Sequence, residues 1–123
     1  MIGYVTLGTN DIAQAAKFYD ALLGEIGATR FMEADNFIAW ATAPGAPGLC
    51  VIKPFDGSPA TVGNGVMIAL AMDSTAKVDS FHGKALTLGA SDEGAPGPRG
   101  DGSFYAGYFR DPDGNKLNAF CMS

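Results

Sequence analysis

The sequence predicts an α+β fold assembled from two copies of one β-α-β-β-β unit. The first observation behind this is an internal repeat. Tyr4-Val5-Thr6-Leu7, Asp11, a helical run through Tyr19 and the pair Gly27-Ala28 return as Met67-Ile68-Ala69-Leu70, Asp73, a run through Phe81 and Gly89-Ala90. The strand pieces recur at an offset of 63 residues and the helix pieces at 62. The second observation is a change of hydrophobic period inside each copy, from alternation to a helical stripe. The third is punctuation: Gly, Pro, Asn and Asp cluster where the periodic runs stop. Duplication of one unit implies a pseudo-symmetric molecule, and a cleft at or between the copies is a natural place for a ligand.

Each element follows from local chemistry. Residues 3–8 alternate, so Val5 and Leu7 face a core while Tyr4 and Thr6 take the opposite face. Asn10 or Asp11 supplies an oxygen to the free N–H groups of the next helix. Ile12, Ala15, Ala16, Tyr19, Leu22 and Leu23 keep one helical stripe up to Gly24. Short strands are expected over 27–33, 36–42 and 48–53, separated by Ala34-Asp35 and by Pro44-Gly45-Ala46-Pro47. Pro54 and the run Phe55-Asp56-Gly57-Ser58-Pro59 then break the chain.

The second copy opens with a strand over 65–72, then Asp73 or Ser74 as a cap. A helix with Val78, Phe81, Ala85 and Leu88 on one face ends at Gly89. Residues 90–93 pair briefly before a loop, Gly94-Ala95-Pro96-Gly97-Pro98-Arg99-Gly100-Asp101-Gly102. A hairpin over 104–110 and 116–121 turns at Asp111-Pro112-Asp113-Gly114-Asn115, where proline suits an early turn position and glycine a positive φ. The chain is thus expected to be a single domain over 1–123, with modules of about 1–55 and 64–123.

Composition narrows the function classes. A chain of 123 residues, 47% hydrophobic and 17% charged, is long enough for a real core and is globular in character. A net charge of −5 leaves no basic patch for phosphates, so no nucleic acid and no anionic membrane surface is expected as a partner. No run reaches the roughly 20 apolar residues of a membrane span. The opening Met1-Ile2-Gly3-Tyr4 lacks the basic start and apolar run of a signal peptide, and Cys50 and Cys121 read as free buried thiols. A cytoplasmic location is the expectation.

The strand Gly3-Tyr4-Val5-Thr6-Leu7, the helix Phe18-Tyr19-Asp20-Ala21-Leu22-Leu23-Gly24 and the closing Tyr108-Phe109-Arg110-Asp111-Pro112-Asp113-Gly114-Asn115-Lys116-Leu117 resemble the vicinal oxygen chelate superfamily. That superfamily includes glyoxalase I, extradiol dioxygenases, fosfomycin-modifying enzymes and bleomycin-binding resistance proteins. The resemblance spans residues 2–121 and implies curved mixed sheets that enclose a concave cup, the glyoxalase/bleomycin resistance fold. It also implies a homodimer in which modules pair across chains. Metal-dependent members place His or Glu ligands on the first, fourth, fifth and last strands. Those positions fall here on Tyr4, Cys50, Met67 and Asn118. None is a hard anionic or imidazole donor, and Cys and Met are soft. The resemblance therefore implies that the usual metal site is absent, with no cofactor expected.

Other chemistry-bearing residues read as structural. His82 is the sole histidine and repeats Asp20, which suggests a solvated helix position. Glu25, Glu33 and Glu93 lie near turns or strand edges, and Asp111 and Asp113 form a turn. Arg99-Gly100-Asp101 spells an adhesion tripeptide without the extracellular setting it needs. The glycine-rich loop lacks the strand–loop–helix context of a phosphate cradle.

Two functional readings result. In the first, the protein binds a small, partly apolar or aromatic molecule without metal, as the bleomycin-binding branch does. Tyr4, Thr6, Cys50, Ile52, Met67, Ala69, Asn118 and Phe120 would line the cup, and Trp40, Tyr105 and Tyr108 would add aromatic walls. In the second, it is a metal-dependent lyase, isomerase or dioxygenase that rebuilt its site.

Overall fold

The computed structural model describes residues 1–122. They divide into two compact units, 1–62 and 63–122, and each repeats the order β-α-β-β-β. The first unit holds β1 (Tyr4–Gly8), α1 (Ile12–Gly24), β2 (Thr29–Glu33), β3 (Phe37–Ala41) and β4 (Gly48–Ile52). Its sheet runs β1-β4-β3-β2, with β1 parallel to β4 and the other pairs antiparallel. The second unit holds β5 (Ile68–Ala71), α2 (Thr75–Thr87), β6 (Ser91–Arg99), β7 (Phe104–Arg110) and β8 (Lys116–Met122). Its sheet has the equivalent order, β5-β8-β7-β6, with β5 parallel to β8. The expected α+β fold of two βαβββ modules is what the chain adopts.

The repeat has a physical basis at the helix ends. Asp11 caps α1 by accepting from the Gln14 amide at 3.0 Å, and Ser74 caps α2 through the Lys77 amide at 3.1 Å. Both helices close through paired backbone bonds onto a glycine. Gly27 N–H donates to Gly24 and Ala28 N–H to Leu23; Gly89 donates to Leu86 and Ala90 to Ala85. Gly27 and Gly89 have φ of 79° and 104°, a region open to glycine at little cost. The recurring Gly-Ala pair is therefore a helix stop, not a binding motif.

In each unit one sheet face is buried under the helix. Alternation puts Leu7, Ile38, Trp40, Leu49 and Val51 on that face in the first unit, where Tyr19, Leu22 and Leu23 of α1 are also buried. In the second unit Val78, Phe81 and Ala85 of α2 are buried with Phe109, Leu117 and Ala119. Each such large side chain contributes about 1.5–3 kcal/mol, which anchors a helix whose sequence alone would be marginal in water.

Two elements differ from expectation. The strand over 65–72 is shorter, with Met67 falling just before β5. The region read as a loop after residue 93 is instead strand β6 as far as Arg99. Its register shifts twice, at Asp92/Gly94 and at Gly94/Gly97, so it carries irregularities that mimic a loop signature. Pro96 and Pro98 are tolerated because β6 is an edge strand and need not donate outward. The closing turn is held by Asp111, whose carboxylate accepts from the amides of Asp113 and Asn115 and from the Asn115 side chain at 2.9–3.0 Å. No helix among the described residues is long and apolar enough to cross a membrane.

Candidate functional site

The face of each sheet that points away from its helix carries most of the expected site residues, but not Trp40, Tyr105 or Met67. In the first unit, register pairs Tyr4 with Gly48, Thr6 with Cys50 and Phe37 with Ile52, while Ala39 pairs with Cys50. Paired positions share a face, so these side chains meet. They line a cavity of about 320 Å³ together with Phe31 and Met32. The lining is almost wholly carbon and sulfur, with the Tyr4 and Thr6 hydroxyls as its polar groups. Burial pushes the Cys50 thiol upward in pKa, so it stays protonated and neutral near pH 7.

Phe31, Met32, Phe37 and Ala39 were not among the expected lining residues. A β-bulge explains the first two. Arg30 pairs with Trp40 and Met32 with Ala39, leaving Phe31 as the extra residue between. Arg30 keeps its place on the helix side, while Phe31 and Met32 both reach the cavity. Gly48 makes room for this: a Cβ there would come within 3.0 Å of the Phe31 ring and 3.4 Å of the Tyr4 Cβ. A break in alternation of this kind leaves no period-two signal in the sequence.

In the second unit the corresponding face holds Ala69, Tyr108, Asn118 and Phe120. Ala69 and Tyr108 flank Asn118 in register, and Phe120 lies beside Ala71 and Ala106. Phe120 stacks with Phe104 at a ring separation of 5.5 Å. Met67 lies outside the paired register and is partly exposed. Asn118 is 1% exposed, and its Oδ1 has no hydrogen-bond partner. A buried acceptor without a donor costs about 1–3 kcal/mol.

Two expected aromatic walls face elsewhere. Trp40 is 1% exposed on the helix side of its sheet, where its Nε1–H donates to Asp20 of α1 at 2.8 Å. Asp20 also receives Arg30 through Nε at 2.9 Å and Nη2 at 2.6 Å. The Arg30 guanidinium holds the Asp20 carboxyl below its usual range, opposed by partial burial and helped by the Trp40 bond. Tyr105 pairs with Cys121 on the helix side, and its hydroxyl donates to Asp79 of α2 at 2.6 Å. That bond raises the phenol pKa. Both aromatics fasten helices to sheets.

His82 is also placed differently from the solvated position its repeat partner suggested. It is 4% exposed, with its ring edge-on to Phe109. Nε2 lies 3.2 Å from an Asp92 oxygen and 3.1 Å from the Tyr108 carbonyl. Gly107 admits the ring, since a Cβ there would approach it to 3.0 Å.

The donors at Tyr4, Cys50, Met67 and Asn118 do not fit a hard divalent metal. They comprise a phenol, a thiol held neutral by burial, a thioether and a carboxamide, with no carboxylate or imidazole. Among the described residues no group of three or more His, Cys, Asp or Glu side chains is gathered to hold a metal ion.

Paired βαβββ units with parallel first and last strands and a helix on one face define a known class of small mixed-sheet proteins. The sequence profile of the Glyoxalase/Bleomycin resistance protein/Dioxygenase superfamily matches residues 1–119, and the chain belongs to that superfamily. A glyoxalase/bleomycin resistance protein from Albidiferax ferrireducens is 36% identical with a TM-score of 0.90, covering 100% of this chain and 99% of the other. A lactoylglutathione lyase from Agrobacterium tumefaciens shares the fold at 21% identity and a TM-score of 0.75, covering 98% of this chain and 92% of its own. A genomically encoded fosfomycin resistance protein from Listeria monocytogenes does so at 18% identity and 0.75, covering 100% and 93%. No curated protein matches the sequence.

Proposed function

We propose that this protein binds a small, partly apolar or aromatic molecule and does so without the metal its superfamily commonly uses. The observation that carries the reading is the cavity of about 320 Å³ over the first sheet, lined by Tyr4, Thr6, Phe31, Phe37 and Cys50. Its volume lies at the lower end of small-molecule sites, and its wall is apolar with few polar groups, as such sites usually are. A lyase, isomerase or dioxygenase reading requires hard ligands for a Lewis-acidic ion, and the four equivalent positions supply none. A homodimer in the cytoplasm completes the proposal. Tyr4, Phe31 and Met32 expose apolar surface, and a second copy is the partner that would cover it.

Thermal unfolding against a panel of small aromatic compounds tests the reading. A compound bound to the native state at about 100 times its Kd adds about 2.7 kcal/mol and raises the melting temperature. Thr6→Trp, which fills the cavity from an exposed strand position, should abolish the shift while the variant stays folded. Stoichiometric nickel, zinc, iron or manganese in protein purified without added metal would bring the enzyme reading forward. Light scattering that reports a monomer at micromolar concentration would remove the dimer.

A further inference from the structure

The face of the second sheet that points away from α2 carries a chemistry that the apolar reading does not use. Along β8 the residues on this face are Lys116, Asn118 and Phe120, spaced about 7 Å apart as alternate strand positions. Tyr108 sits beside Asn118 on β7, and two cations stand against its ring. The Arg99 guanidinium carbon is 5.5 Å from the ring centroid and the Lys116 ammonium 5.4 Å.

Arg99 is held in place by its own strand. Nη1 donates to the Gly97 carbonyl at 2.9 Å and to Pro98 at 3.3 Å, and Nη2 donates to Ala95 at 2.7 Å. The side chain lies back over Gly94 and Gly97, where a Cβ would approach it to 3.4 and 3.3 Å. The run that looked like a loop is therefore a platform for one guanidinium. Among the described residues neither Arg99 nor Lys116 forms an ion pair with a carboxylate. The nearby Glu93 is already taken by Arg110, which also donates to the Gly114 carbonyl. Two like charges gathered at one ring repel each other, and an anion beside them would relieve that repulsion.

The unpartnered Asn118 Oδ1 is an independent sign. It is an acceptor two residues from Lys116 and two from Phe120 along β8, and it lacks a donor. We propose that this face is a site for a small aryl acid with a hydroxyl or amino group between its ring and its acid. The acid would meet Lys116 and Arg99, the donor would satisfy Asn118 Oδ1, and the ring would lie on the stacked Phe120–Phe104 pair. This rests on the premise above that the protein binds a small molecule, and it names a ligand class for this second face.

The test uses the full-length protein and three probes: 3-phenyllactate, 3-phenylpropionate without the hydroxyl, and 3-phenyl-1,2-propanediol without the acid. Binding is measured by calorimetry and by amide shifts of residues 116–120. The acid with its hydroxyl should bind about tenfold tighter than either control, the size of one charge-assisted or buried hydrogen bond. The preference over the diol should shrink between about 50 and 500 mM salt. Lys116→Met should remove that preference, and Asn118→Leu should remove the preference over phenylpropionate. Should the leucine variant fail to fold, Asn118→Asp serves instead and should weaken the acids more than the diol. Equal binding of acid and diol, or an unchanged preference in folded Lys116→Met, overturns this inference and leaves the ligand-binding reading standing. If no probe binds or moves these amides, and no neutral aromatic compound binds either, both fall.

Discussion

Asp20 joins three elements through one carboxylate, so its removal makes a graded prediction. In Asp20→Ala the Trp40 indole N–H, in a side chain 1% exposed, loses its acceptor. An unsatisfied buried donor costs about 1–3 kcal/mol. The Arg30–Asp20 pair at 2.6 Å is partly open to solvent, with side-chain exposures of 29% and 45%, and adds only about 0–1 kcal/mol. Asp20→Ala should thus lose about 1–4 kcal/mol at pH 7. Asp20→Asn keeps one oxygen for the indole but loses the charge and one acceptor facing Arg30 on the exposed side, so it should lose about 1 kcal/mol. Urea unfolding followed by the single Trp40 reports on the site itself. The sign with pH is fixed by the depressed carboxyl pKa. The charge-dependent part is fully present above the ordinary value of 3.8 and is lost as pH falls below it through the folded value. The wild-type advantage over Asp20→Asn should therefore vanish in acid. Equal losses for Ala and Asn, or an advantage undiminished at low pH, would refute the assigned roles of indole and charge.

Other outcomes follow from the same geometry. Phe81→Ala removes a fully buried ring packed on Phe109 and should cost about 3–5 kcal/mol by urea denaturation; a loss below about 1 kcal/mol would contradict its core position. Gly89→Ala places a side chain at a φ of 104° and should cost about 1 kcal/mol or more, detectable as a lowered melting temperature. Added nickel, zinc or manganese should leave the wild-type melting temperature unchanged, and a shift on metal addition would count against the donor argument. Cys50 should react slowly with a thiol reagent at pH 7 because burial keeps it protonated, and rate constants matching a free thiol would show the cavity to be open to water.

The repeat made the fold readable before any coordinates, because it marks the helix stops Gly27 and Gly89 and the strand starts around them. Half of the first unit's cavity was legible too: Tyr4, Thr6, Cys50 and Ile52 follow from plain alternation on β1 and β4. What alternation could not supply was the β2 wall, where the bulge breaks the period, or the facing of β3. The run Phe37-Ile38-Ala39-Trp40-Ala41 is apolar throughout, so composition does not say which side Trp40 takes. Tyr105 and Tyr108 differ by three positions, and a regular strand sends such residues to opposite faces. That spacing already separated them. His82 departs from its repeat partner Asp20 because the repeat preserves position but not burial. A histidine can be buried where an aspartate is half exposed, provided its ring nitrogen finds a partner.

The bulge in β2 gives the cavity wall a degree of evolutionary freedom. Arg30 stays fixed to Asp20 on one side of the strand while Phe31 is a surplus residue on the other. Deleting the single codon for Phe31 would restore strict alternation and leave the ion pair and its neighbours in register. It would also remove the ring that fills the space above Gly48. The shape of this cavity can therefore change by one inserted or deleted residue without renegotiating the helix anchor.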